Sequence, residues 1–457
     1  MSVTRSRFAG ERAVVIGLGA SGSAAARVLV EEGASVRVSE RRPLSELPNV
    51  AALAAAGVQV LAGGHRPEHL DGATLAVTSP GVPEHAQVLR WVGERGLALW
   101  SELELGAVLC EAAYVAITGT NGKTTTTEMV AAAMRAAGLD AVACGNIGHP
   151  FSLAAREGHD ALAVEASSFQ LRFHRTLHPR VSVLLNLADD HLDWHGSFRA
   201  YADAKARLFE LQGPGDVHVG NADDPVAGAV SRRAPCPVVW FRLGAPSPGE
   251  VGYVDGRLVS RIAGDLELGR PAAEGSGFRA DAAAAAAAAL SFGLPPDAVR
   301  DGIGSVRPLP HRGQVVAEAG GVRFVDDSKA TNPHAAMAAL EGLSNAVLIA
   351  GGLSKGVDLS PLAAATPALA GVVVLGEAGP EVAALFEGSV PVRKAGSIEE
   401  AAKLALELAL ELAPPGGVVI LAPACASQDM FRDYAERGDR FAAAARALAS
   451  APGRGGP

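Results

Sequence analysis

The clearest chemical signal in the sequence is the glycine-rich segment 118–125 (TGTNGKTT), which follows the apolar run AYVAIT and precedes a helical pattern. The backbone N–H groups of such a loop can bind phosphate oxygens, Lys123 can reach the terminal phosphates, and Thr124 can ligate Mg²⁺. The full P-loop pattern also requires a glycine where Ile117 stands, so this loop is a shortened relative. The segment predicts an ATP-type phosphate site formed by Gly119, Thr120, Asn121, Gly122, Lys123, Thr124 and Thr125.

Acidic residues and a histidine follow two further strand-like runs. Glu165 closes the run ALAVE, and Asp189, Asp190 and His191 follow the run VSVLLNL. A carboxylate and an imidazole beside a triphosphate suit a second divalent cation, and hard oxygen ligands suit Mg²⁺. The hypothesis depends on both groups lying on strands near the phosphate loop, because a lone Glu or His at a strand end is usually structural.

A second glycine-rich turn lies near the N-terminus. Residues 17–22 (GLGASG) follow the first strand-like run and open a helical pattern, and Glu40 ends the next strand. Glycines there let the backbone approach a phosphate, and an acid at that distance can bond a ribose hydroxyl. The motif alone leaves three interpretations open: a dinucleotide cofactor, another nucleotide, or tight packing.

Lysine is rare in this chain. Only six of the 40 basic residues are lysine, and four of the six lie in or near the polar motifs. The remaining lysines are therefore candidates for tasks that arginine cannot perform, such as point-charge contact with phosphate or reaction as a neutral amine. Lys205 lies in a helical segment after the Asp-Asp-His cluster, but spacing alone does not distinguish it from a surface lysine. Lys394 and Lys403 are expected on solvated surfaces.

The last third of the chain carries three more polar motifs at strand ends. These are 326–333 (DDSKATNP), 351–356 (GGLSKG) and 422–427 (APACAS). Their small residues, with one lysine or hydroxyl each, could form a pocket for a carboxylate or a nucleotide. Cys425 has no evident partner and is interpreted as buried packing rather than as a nucleophile.

The elements that would position these motifs alternate between strand-like apolar runs and alanine-rich helical patterns. This alternation predicts an α/β fold with parallel sheets, in which ligands bind beyond the carboxyl ends of the strands. Shifts in composition predict three segments, 1–100, 101–307 and 308–457. Residues 242–277 are predicted to form a β-hairpin elaboration of the middle segment, and the run Ala282–Ala289 a packed helix.

The composition excludes several classes of protein. The 457 residues are 49% apolar and 19% charged, so the chain can bury packed cores and is not mainly disordered. Its net charge of −9 argues against a basic nucleic-acid-binding surface. The absence of a signal-peptide pattern, of a convincing membrane span and of CxxC pairs predicts a cytoplasmic protein without membrane insertion.

Taken in order, the motifs GTNGKTTT, EASSFQL, NLADDHLDWH, NADDP, LPHR, DDSKATNP, GGLSKG and PACASQDMF resemble those of the Mur ligases across essentially the whole chain. The resemblance implies three domains: an N-terminal Rossmann-like domain for the UDP end of the substrate, a central P-loop-type ATPase with a mostly parallel sheet, and a C-terminal Rossmann-like domain. DDSKATNP and ACAS point to the member that uses ATP and Mg²⁺ to join D-glutamate to UDP-N-acetylmuramoyl-L-alanine through an acyl phosphate. The chain is expected to act as a monomer.

The resemblance also implies roles for individual residues. Lys123 and Thr124 would hold ATP and the first Mg²⁺, and Glu165 and His191 the second, with Lys205 contributing as a CO₂-derived carbamate. The UDP substrate would contact Gly19, Ser21, Glu40, Arg42, Gly81 and Asn146. ATP would also contact Arg312, Asp327 and Lys329, and D-glutamate would contact Thr331, Lys355, Ser427 and Tyr434.

The chain departs from the family pattern at one place. The family usually carries G-x-H-N-x-x-N where this sequence has GFRADAA, with Arg279, Ala280 and Ala283 in place of the histidine and the two asparagines. Because those asparagines read the adenine edge, the departure predicts weaker discrimination of ATP from GTP.

Three alternatives remain at this point. Another Mur ligase or a folylpolyglutamate synthetase is the first, although folate enzymes lack the N-terminal GxGxxG domain. A nicotinamide-dependent oxidoreductase is the second, but it leaves the phosphate loop and the later motifs unexplained. The third, a non-catalytic nucleotide-binding module, would not need Lys123, Glu165, His191 and Lys205 together.

Overall fold

The computed structural model describes residues 6–47, 50–146, 148–273, 275–412 and 416–450. The chain forms two compact units. The first contains the described residues up to Leu187 together with Trp194–Pro271 and Ala280–Val306, and the second contains Ala188–Asp193, Ala272–Arg279 and the described residues from Arg307 onward. Among the described residues, no helix combines the length and the apolar character that a membrane crossing requires.

The first sheet of the first unit is parallel throughout, with strand order β3-β2-β1-β4-β5. Its strands are β1 (Arg12–Ile16), β2 (Ser35–Ser39), β3 (Gln59–Leu61), β4 (Leu75–Thr78) and β5 (Ala98–Ser101). The helices are α1 (Ala20–Glu31), α2 (Val50–Ala55), α3 (Gln87–Glu94) and α4 (Glu102–Leu109), with 3₁₀ turns at Leu44–Glu46 and Pro67–Leu70. The chain order reverses between β1 and β4, which is where open α/β sheets bind ligands.

The second sheet of this unit has nine strands in the order β14-β13-β12-β11-β10-β9-β6-β8-β7. They are β6 (Ala113–Thr118), β7 (Ala141–Gly145), β8 (Ala161–Glu165), β9 (Val181–Leu184), β10 (Val217–Asn221), β11 (Val238–Phe241), β12 (Glu250–Val254), β13 (Arg257–Ser260) and β14 (Leu266–Glu267). Pairing is parallel from β7 to β12 and antiparallel from β12 to β14. The predicted β-hairpin elaboration within 242–277 is therefore confirmed.

Helices connect and cover this second sheet. They are α5 (Lys123–Ala136), α6 (Phe151–Ala154), α7 (Ser168–Leu171), α8 (Leu192–His195), α9 (Phe198–Ala206), α10 (Pro225–Ser231), α11 (Ser276–Phe292) and α12 (Pro296–Ser305), with a 3₁₀ turn at Arg207–Phe209. The alanine run Ala282–Ala289 lies in α11 and is completely buried, as the sequence predicts. Strand β6 lies between β8 and β9, so the loops after these three strands open at one edge of the sheet.

The second unit contains a six-stranded sheet with the order β15-β16-β20-β17-β18-β19. Its strands are β15 (Gln314–Ala319), β16 (Val322–Asp326), β17 (Ala346–Gly351), β18 (Leu369–Leu375), β19 (Val392–Lys394) and β20 (Val418–Leu421). Its helices are α13 (Pro333–Leu340), α14 (Gly379–Phe386), α15 (Ile398–Leu412) and α16 (Tyr434–Ser450), with a 3₁₀ segment at Ser360–Ala368. Strand β15 pairs antiparallel with β16, and the other pairings among the described strands of this sheet are parallel, so this sheet is mostly parallel too.

These three sheets in chain order confirm the predicted α/β class. The adjacent parallel strands β16, β20 and β17 end at the motifs that begin at Asp326, Ala422 and Gly351. The three polar motifs of the last third therefore lie side by side at one sheet edge, as expected. The predicted segment boundaries stay a prediction.

Candidate active site

The phosphate loop joins β6 to α5. Gly122 caps the helix with a φ of +87°, a left-handed conformation that glycine adopts without strain. Lys123 Nζ donates hydrogen bonds to the carbonyl oxygens of Gly119 and Thr120, both at 2.9 Å. The lysine therefore curls over the loop, and its charge lies beside the N-terminus of α5, where an anion is also favoured.

Asn186 follows the neighbouring strand β9 and stabilises this loop through hydrogen bonds. Its side-chain oxygen accepts a hydrogen bond from Asn121 N at 2.8 Å, and its Nδ2 donates to Asn121 O at 3.2 Å. Its own carbonyl accepts from Thr120 N at 3.0 Å. Three hydrogen bonds to two consecutive loop residues hold the loop in one conformation.

Glu165, at the end of β8, brings two other predicted residues together. Its carboxylate accepts hydrogen bonds from Thr124 Oγ1 at 2.9 Å and from Asn146 Nδ2 at 2.8 Å. Glu165 is almost completely buried, and its carbonyl also accepts from Asn146 N. The phosphate-loop hydroxyl, the carboxylate and the loop after β7 thus form one connected cluster.

Lys205 lies on α9 and is only 2% exposed, so it is not a surface lysine. Its Nζ donates to Gly119 O at 2.7 Å and to Thr118 Oγ1 at 3.4 Å, and it lies 4.7 Å from the ring centre of Tyr201. The Tyr201 hydroxyl pairs with Thr120 Oγ1 at 3.0 Å. Tyr201 and Lys205 are one helical turn apart, and both reach the phosphate loop.

The donor set around this loop fits Mg²⁺. Thr124 Oγ1 and the Glu165 carboxylate are hard oxygen ligands within hydrogen-bonding distance of each other. In the described ranges no three histidine, cysteine, aspartate or glutamate side chains gather into a metal site. Mg²⁺ is often bound through one or two carboxylates together with water and substrate phosphates.

Glu40 holds the N-terminal glycine-rich turn through hydrogen bonds. The Glu40 carboxylate accepts hydrogen bonds from Leu18 N at 2.6 Å and from the backbone and guanidinium of Arg42. Burial alone would raise the pKa of Glu40, but these hydrogen bonds lower it to about 2. Arg42 Nη2 also donates to Leu18 O at 2.9 Å, so the pair holds the turn that contains Gly19 and precedes Ser21.

The turn after β4 lies against the same glycine-rich segment. Ser79 lies two residues before Gly81, and its Oγ donates a hydrogen bond to Gly17 O at 2.8 Å. A Cβ added at Gly22 would lie 2.0 Å from Gly17 O, so only glycine fits this close approach. The two turns meet at the point where the strand order reverses.

In the second unit, the β16 motif carries two adjacent carboxylates. His311 Nδ1 pairs with Asp326 Oδ2 at 2.7 Å. Burial raises the pKa of Asp327 to about 7, Arg312 opposes this rise, and the charge of Asp326 adds to it. Asp327 and Arg312 therefore interact electrostatically, and their predicted contact with ATP stays a prediction.

The residues predicted to bind the amino acid lie in this unit: Thr331, Lys355 and Ser427 lie outside helices and strands, and Tyr434 begins α16. Lys329 Nζ lies 3.6 Å from the ring centre of Tyr434, and Thr331 N bonds back to Lys329 O at 2.9 Å. Ser427 is 1% exposed, and its Oγ makes no hydrogen bond within the described part of the chain. Lys355 has a φ of +54°, which is uncommon for a residue other than glycine. His191, also in this unit, is partly exposed and pairs with Asp190 at 3.7 Å.

Comparisons with known proteins find matches in each third of the chain. Three family models match: a Mur ligase MurD-like N-terminal domain at residues 11–101, a Mur ligase middle domain at 117–247, and a Mur ligase glutamate ligase domain at 311–425. A UDP-N-acetylmuramoylalanine–D-glutamate ligase of Frankia casuarinae is 43% identical, and the match covers 96% of this chain and 95% of the relative. The chain belongs to the Mur ligase family.

Two further comparisons support the assignment. A Thermobifida fusca protein with the same name is 40% identical, over 96% of this chain and 99% of its own length. The crystal structure of MurF ligase from Thermotoga maritima in complex with ADP is 17% identical, with a TM-score of 0.59 over 97% of this chain and 96% of that one. The structural match shows a shared Mur ligase fold, and membership in this family removes the oxidoreductase alternative.

Sequence reasoning missed several residues that this Mur ligase uses to shape its site. Asn186, at the start of the NLADDH motif, and Tyr201 carry no local signal of their contacts with the phosphate loop. Arg437 is 1% exposed and donates to Ser328 O at 2.9 Å and Cys425 O at 3.2 Å, joining the loops after β16 and β20. No local pattern marks these residues, because their partners are distant in sequence. Cys425 is buried, as expected, and burial raises its pKa to about 12.

Proposed function

We propose that this Mur ligase joins D-glutamate to UDP-N-acetylmuramoyl-L-alanine, with conversion of ATP to ADP and phosphate, in peptidoglycan precursor synthesis. The observation that carries the proposal is the similarity of about 40% identity, over nearly the full chain, to relatives named for this activity. Two contacts at the phosphate loop support it: Thr124 Oγ1 donates to the buried Glu165 carboxylate, and the buried Lys205 amine donates to Gly119 O.

The reaction would proceed in two steps. The alanyl carboxylate attacks the γ-phosphorus of ATP and ADP leaves, which gives an acyl phosphate. The amine of D-glutamate then attacks the acyl carbon, and phosphate leaves from the tetrahedral intermediate with net loss of the amine proton. The protein contributes positioning and charge, since phosphoryl transfer depends mainly on these.

The phosphate loop would bind the triphosphate of ATP. Its backbone N–H groups and the N-terminus of α5 attract the phosphates, and Lys123 would move from the loop carbonyls to the terminal phosphates. Arg312, Asp327 and Lys329 would also contact ATP.

Thr124 would hold the first Mg²⁺, and Glu165 and His191 would hold the second, with Lys205 contributing as a carbamate. The bound ions would supply positive charge that offsets the charge developing on the transferred phosphoryl group. Lysine is required at position 205 in this proposal because a neutral amine can add CO₂ and a guanidinium cannot. The Glu165 carboxylate also accepts from Asn146, so it orients a residue of the loop after β7.

The two other substrates would bind at the remaining motifs. The UDP end would contact Gly19, Ser21, Glu40, Arg42, Gly81 and Asn146. D-Glutamate would contact Thr331, Lys355, Ser427 and Tyr434, where Ser427 offers a buried hydroxyl and Lys355 a cation for a carboxylate. We further propose a monomer that works in the cytoplasm, with residues 1–100, 101–307 and 308–457 as its three domains.

Phosphate release tests the proposal directly. The purified protein is given ATP, Mg²⁺ and UDP-N-acetylmuramoyl-L-alanine, and D-glutamate, L-glutamate, L-alanine, L-lysine or diaminopimelate is offered in parallel. We expect release with D-glutamate only. Release with a different amino acid would contradict the proposed acceptor, and release with none of them would contradict the proposed reaction.

A further inference from the structure

One arginine of the second unit is almost completely buried. Arg437 lies in α16 and is 1% exposed. Burial lowers its pKa to about 10, so the side chain remains positively charged at neutral pH. A buried charge is costly unless hydrogen bonds compensate for its lost hydration. The hydrogen bonds of Arg437 therefore identify the part of the structure that depends on it.

The Arg437 guanidinium joins two loops. Its Nε donates to Ser328 Oγ at 3.0 Å and its Nη2 to Ser328 O at 2.9 Å, both in the loop after β16. In the loop after β20, Nη1 and Nη2 each donate to Cys425 O at 3.2 Å, and Nη1 also donates to Ala426 O at 3.4 Å. All four acceptors are neutral oxygens. A planar group with five N–H donors can bond to both loops at once, a geometry that the ammonium of a lysine cannot reproduce.

Ser328 connects this arginine to the start of its own helix. Ser328 is completely buried, and its Oγ donates to Tyr434 O at 2.7 Å. Tyr434 begins α16, and its ring centre lies 3.6 Å from Lys329 Nζ. The first turn of α16 and the loop after β16 are thus linked through Ser328 and through the contact between Lys329 and Tyr434.

The loop after β17 packs against the same guanidinium. Gly352 has a φ of +130°, and an added Cβ would lie 2.2 Å from Ala426 O and 3.3 Å from Arg437 Nη1. Leu353 and Ala426 exchange two backbone hydrogen bonds, both 2.9 Å long. This loop also contains Lys355. The three loops proposed to bind D-glutamate therefore meet around Arg437.

The two bonded loops depend on Arg437 to different degrees. The loop after β16 has backbone hydrogen bonds of its own, such as the bond from Lys329 N to His311 O at 3.2 Å. Among the described residues, by contrast, only Arg437 donates to the Cys425 carbonyl oxygen. Loss of Arg437 would leave this buried carbonyl unpaired, which costs free energy unless the segment 425–427 reorients.

Ser427 is the residue at which such a reorientation would matter. It is 1% exposed, and its Oγ makes no hydrogen bond within the described part of the chain. Its carbonyl accepts from Met430 N at 3.1 Å and from Phe431 N at 2.9 Å, which fixes the backbone that follows it. A buried hydroxyl without a protein partner is stabilised when a ligand bonds to it. The position of this hydroxyl is set by the segment that Arg437 holds.

We propose that Arg437 is a positioning residue for D-glutamate: its guanidinium holds the segment 425–427 against Ser328, so that the Ser427 hydroxyl faces the substrate. The proposal rests on the function proposed above, in which Ser427 contacts D-glutamate. Arg437 does not touch the reacting atoms, and its effect is transmitted through the loop after β20.

Steady-state kinetics of Arg437→Met, with Phe441→Leu as the matched control, test the proposal. Methionine keeps a long side chain but donates no hydrogen bond. We expect Arg437→Met to raise KM for D-glutamate about tenfold or more, while kcat and the KM values for ATP and UDP-N-acetylmuramoyl-L-alanine change by less than about threefold. Phe441 is completely buried one turn later in α16, so Phe441→Leu should lower the melting temperature without this selective rise in KM. A wild-type KM for D-glutamate in Arg437→Met, or an equal rise in all three KM values, would overturn the proposal.

A double-mutant cycle shows whether Arg437 acts through Ser427. Ser427→Ala alone should raise KM for D-glutamate, because it removes the hydroxyl. Adding Arg437→Met to Ser427→Ala should then raise this KM by less than about a further threefold, since the group that Arg437 positions is already gone. If the two single effects multiply in the double variant, the two residues act independently and the proposal is wrong.

Arg437→Lys keeps the buried charge and replaces Arg437→Met if that variant does not fold. An ammonium cannot bond to both loops in the geometry of the guanidinium, so KM for D-glutamate should still rise by about threefold or more. A wild-type KM in Arg437→Lys would show that the charge alone is sufficient, against the proposed role of the hydrogen bonds.

Amide hydrogen exchange separates this proposal from the proposed function. Exchange of residues 425–431, measured without substrates, should be faster in Arg437→Met than in Phe441→Leu. Failure of the wild type to release phosphate with D-glutamate would refute the proposed function and with it the substrate role of Arg437. Equal exchange in the two variants of an active enzyme would refute the positioning role alone.

Discussion

Lys205 Nζ lies 2.7 Å from the carbonyl oxygen of Gly119, so the helix α9 reaches back to the phosphate loop 86 residues earlier in the chain. This contact places a buried amine next to the atoms that are proposed to receive the triphosphate. Lys205 is buried, whereas Lys394 and Lys403, the two lysines expected on solvated surfaces, are exposed.

Replacement of Lys205 tests the proposed carbamate. Lys205→Ala and Lys205→Arg should both abolish phosphate release, since neither side chain can add CO₂. Bicarbonate or a small carboxylate should partly restore Lys205→Ala by supplying the missing anion. Lys123→Ala should be inactive and not rescued, and Lys403→Ala, which removes an exposed lysine, should match the wild type. Wild-type activity in Lys205→Ala would refute the carbamate.

Gly122 should be intolerant of a side chain for two reasons. Its φ is +87°, and an added Cβ would lie 2.0 Å from Asp281 Oδ1. We expect Gly122→Ala to cost about 2 kcal/mol of stability and to weaken ATP binding about tenfold or more.

Two comparisons divide this cost into its parts. Gly138→Ala has a similar φ of +85° with nothing within 4 Å, so it measures the backbone cost alone, about 1 kcal/mol. Combining Asp281→Ala with Gly122→Ala should recover the rest of the lost unfolding free energy, which comes from the clash with Asp281. Equal unfolding free energies for Gly122→Ala and Gly138→Ala would show that Asp281 does not restrict the loop.

The pH dependence of stability should reflect Glu40. Hydrogen bonds from Arg42 and Leu18 outweigh burial and lower its pKa from 4.5 to about 2, so its contribution is present above pH 4.5 and is lost as the pH falls toward 2. Glu40→Gln should therefore cost about 1–3 kcal/mol near neutral pH and progressively less in acid. Urea unfolding at several pH values measures this trend, with Glu84→Gln, which removes a partly exposed ion pair with Arg172, as a control expected to have little effect. A cost that does not vary with pH would contradict the assignment.

Nucleotide choice tests the departure at residues 277–283. Ala280 and Ala283 have methyl side chains, and Ala283 is completely buried, so neither offers a hydrogen-bonding group to a base. We expect the ratio of kcat/KM for ATP over GTP to be smaller than in a sister ligase that carries the asparagines. Equal or better selectivity for ATP would refute this expectation.

Much of the architecture was determined by the sequence itself. Runs such as AVVIG, ALAVE and VSVLL are buried on both faces of parallel sheets, and their period and spacing identify them without tertiary information. The phosphate loop could also be identified locally, because Gly122, Lys123 and Thr124 are adjacent and their chemistry depends on that adjacency. The run ALAVE, which ends at Glu165, accordingly forms β8 (Ala161–Glu165).

Only the tertiary structure decided which distant residues meet. Lys205 could be a surface lysine by spacing alone, and its burial depends on how α9 packs against the phosphate loop. Asn186 and Arg437 act through partners that are separated from them by 65 and 109 residues. No periodicity encodes such pairs, because they arise from strand order and helix packing, which bring segments together after the local elements have formed.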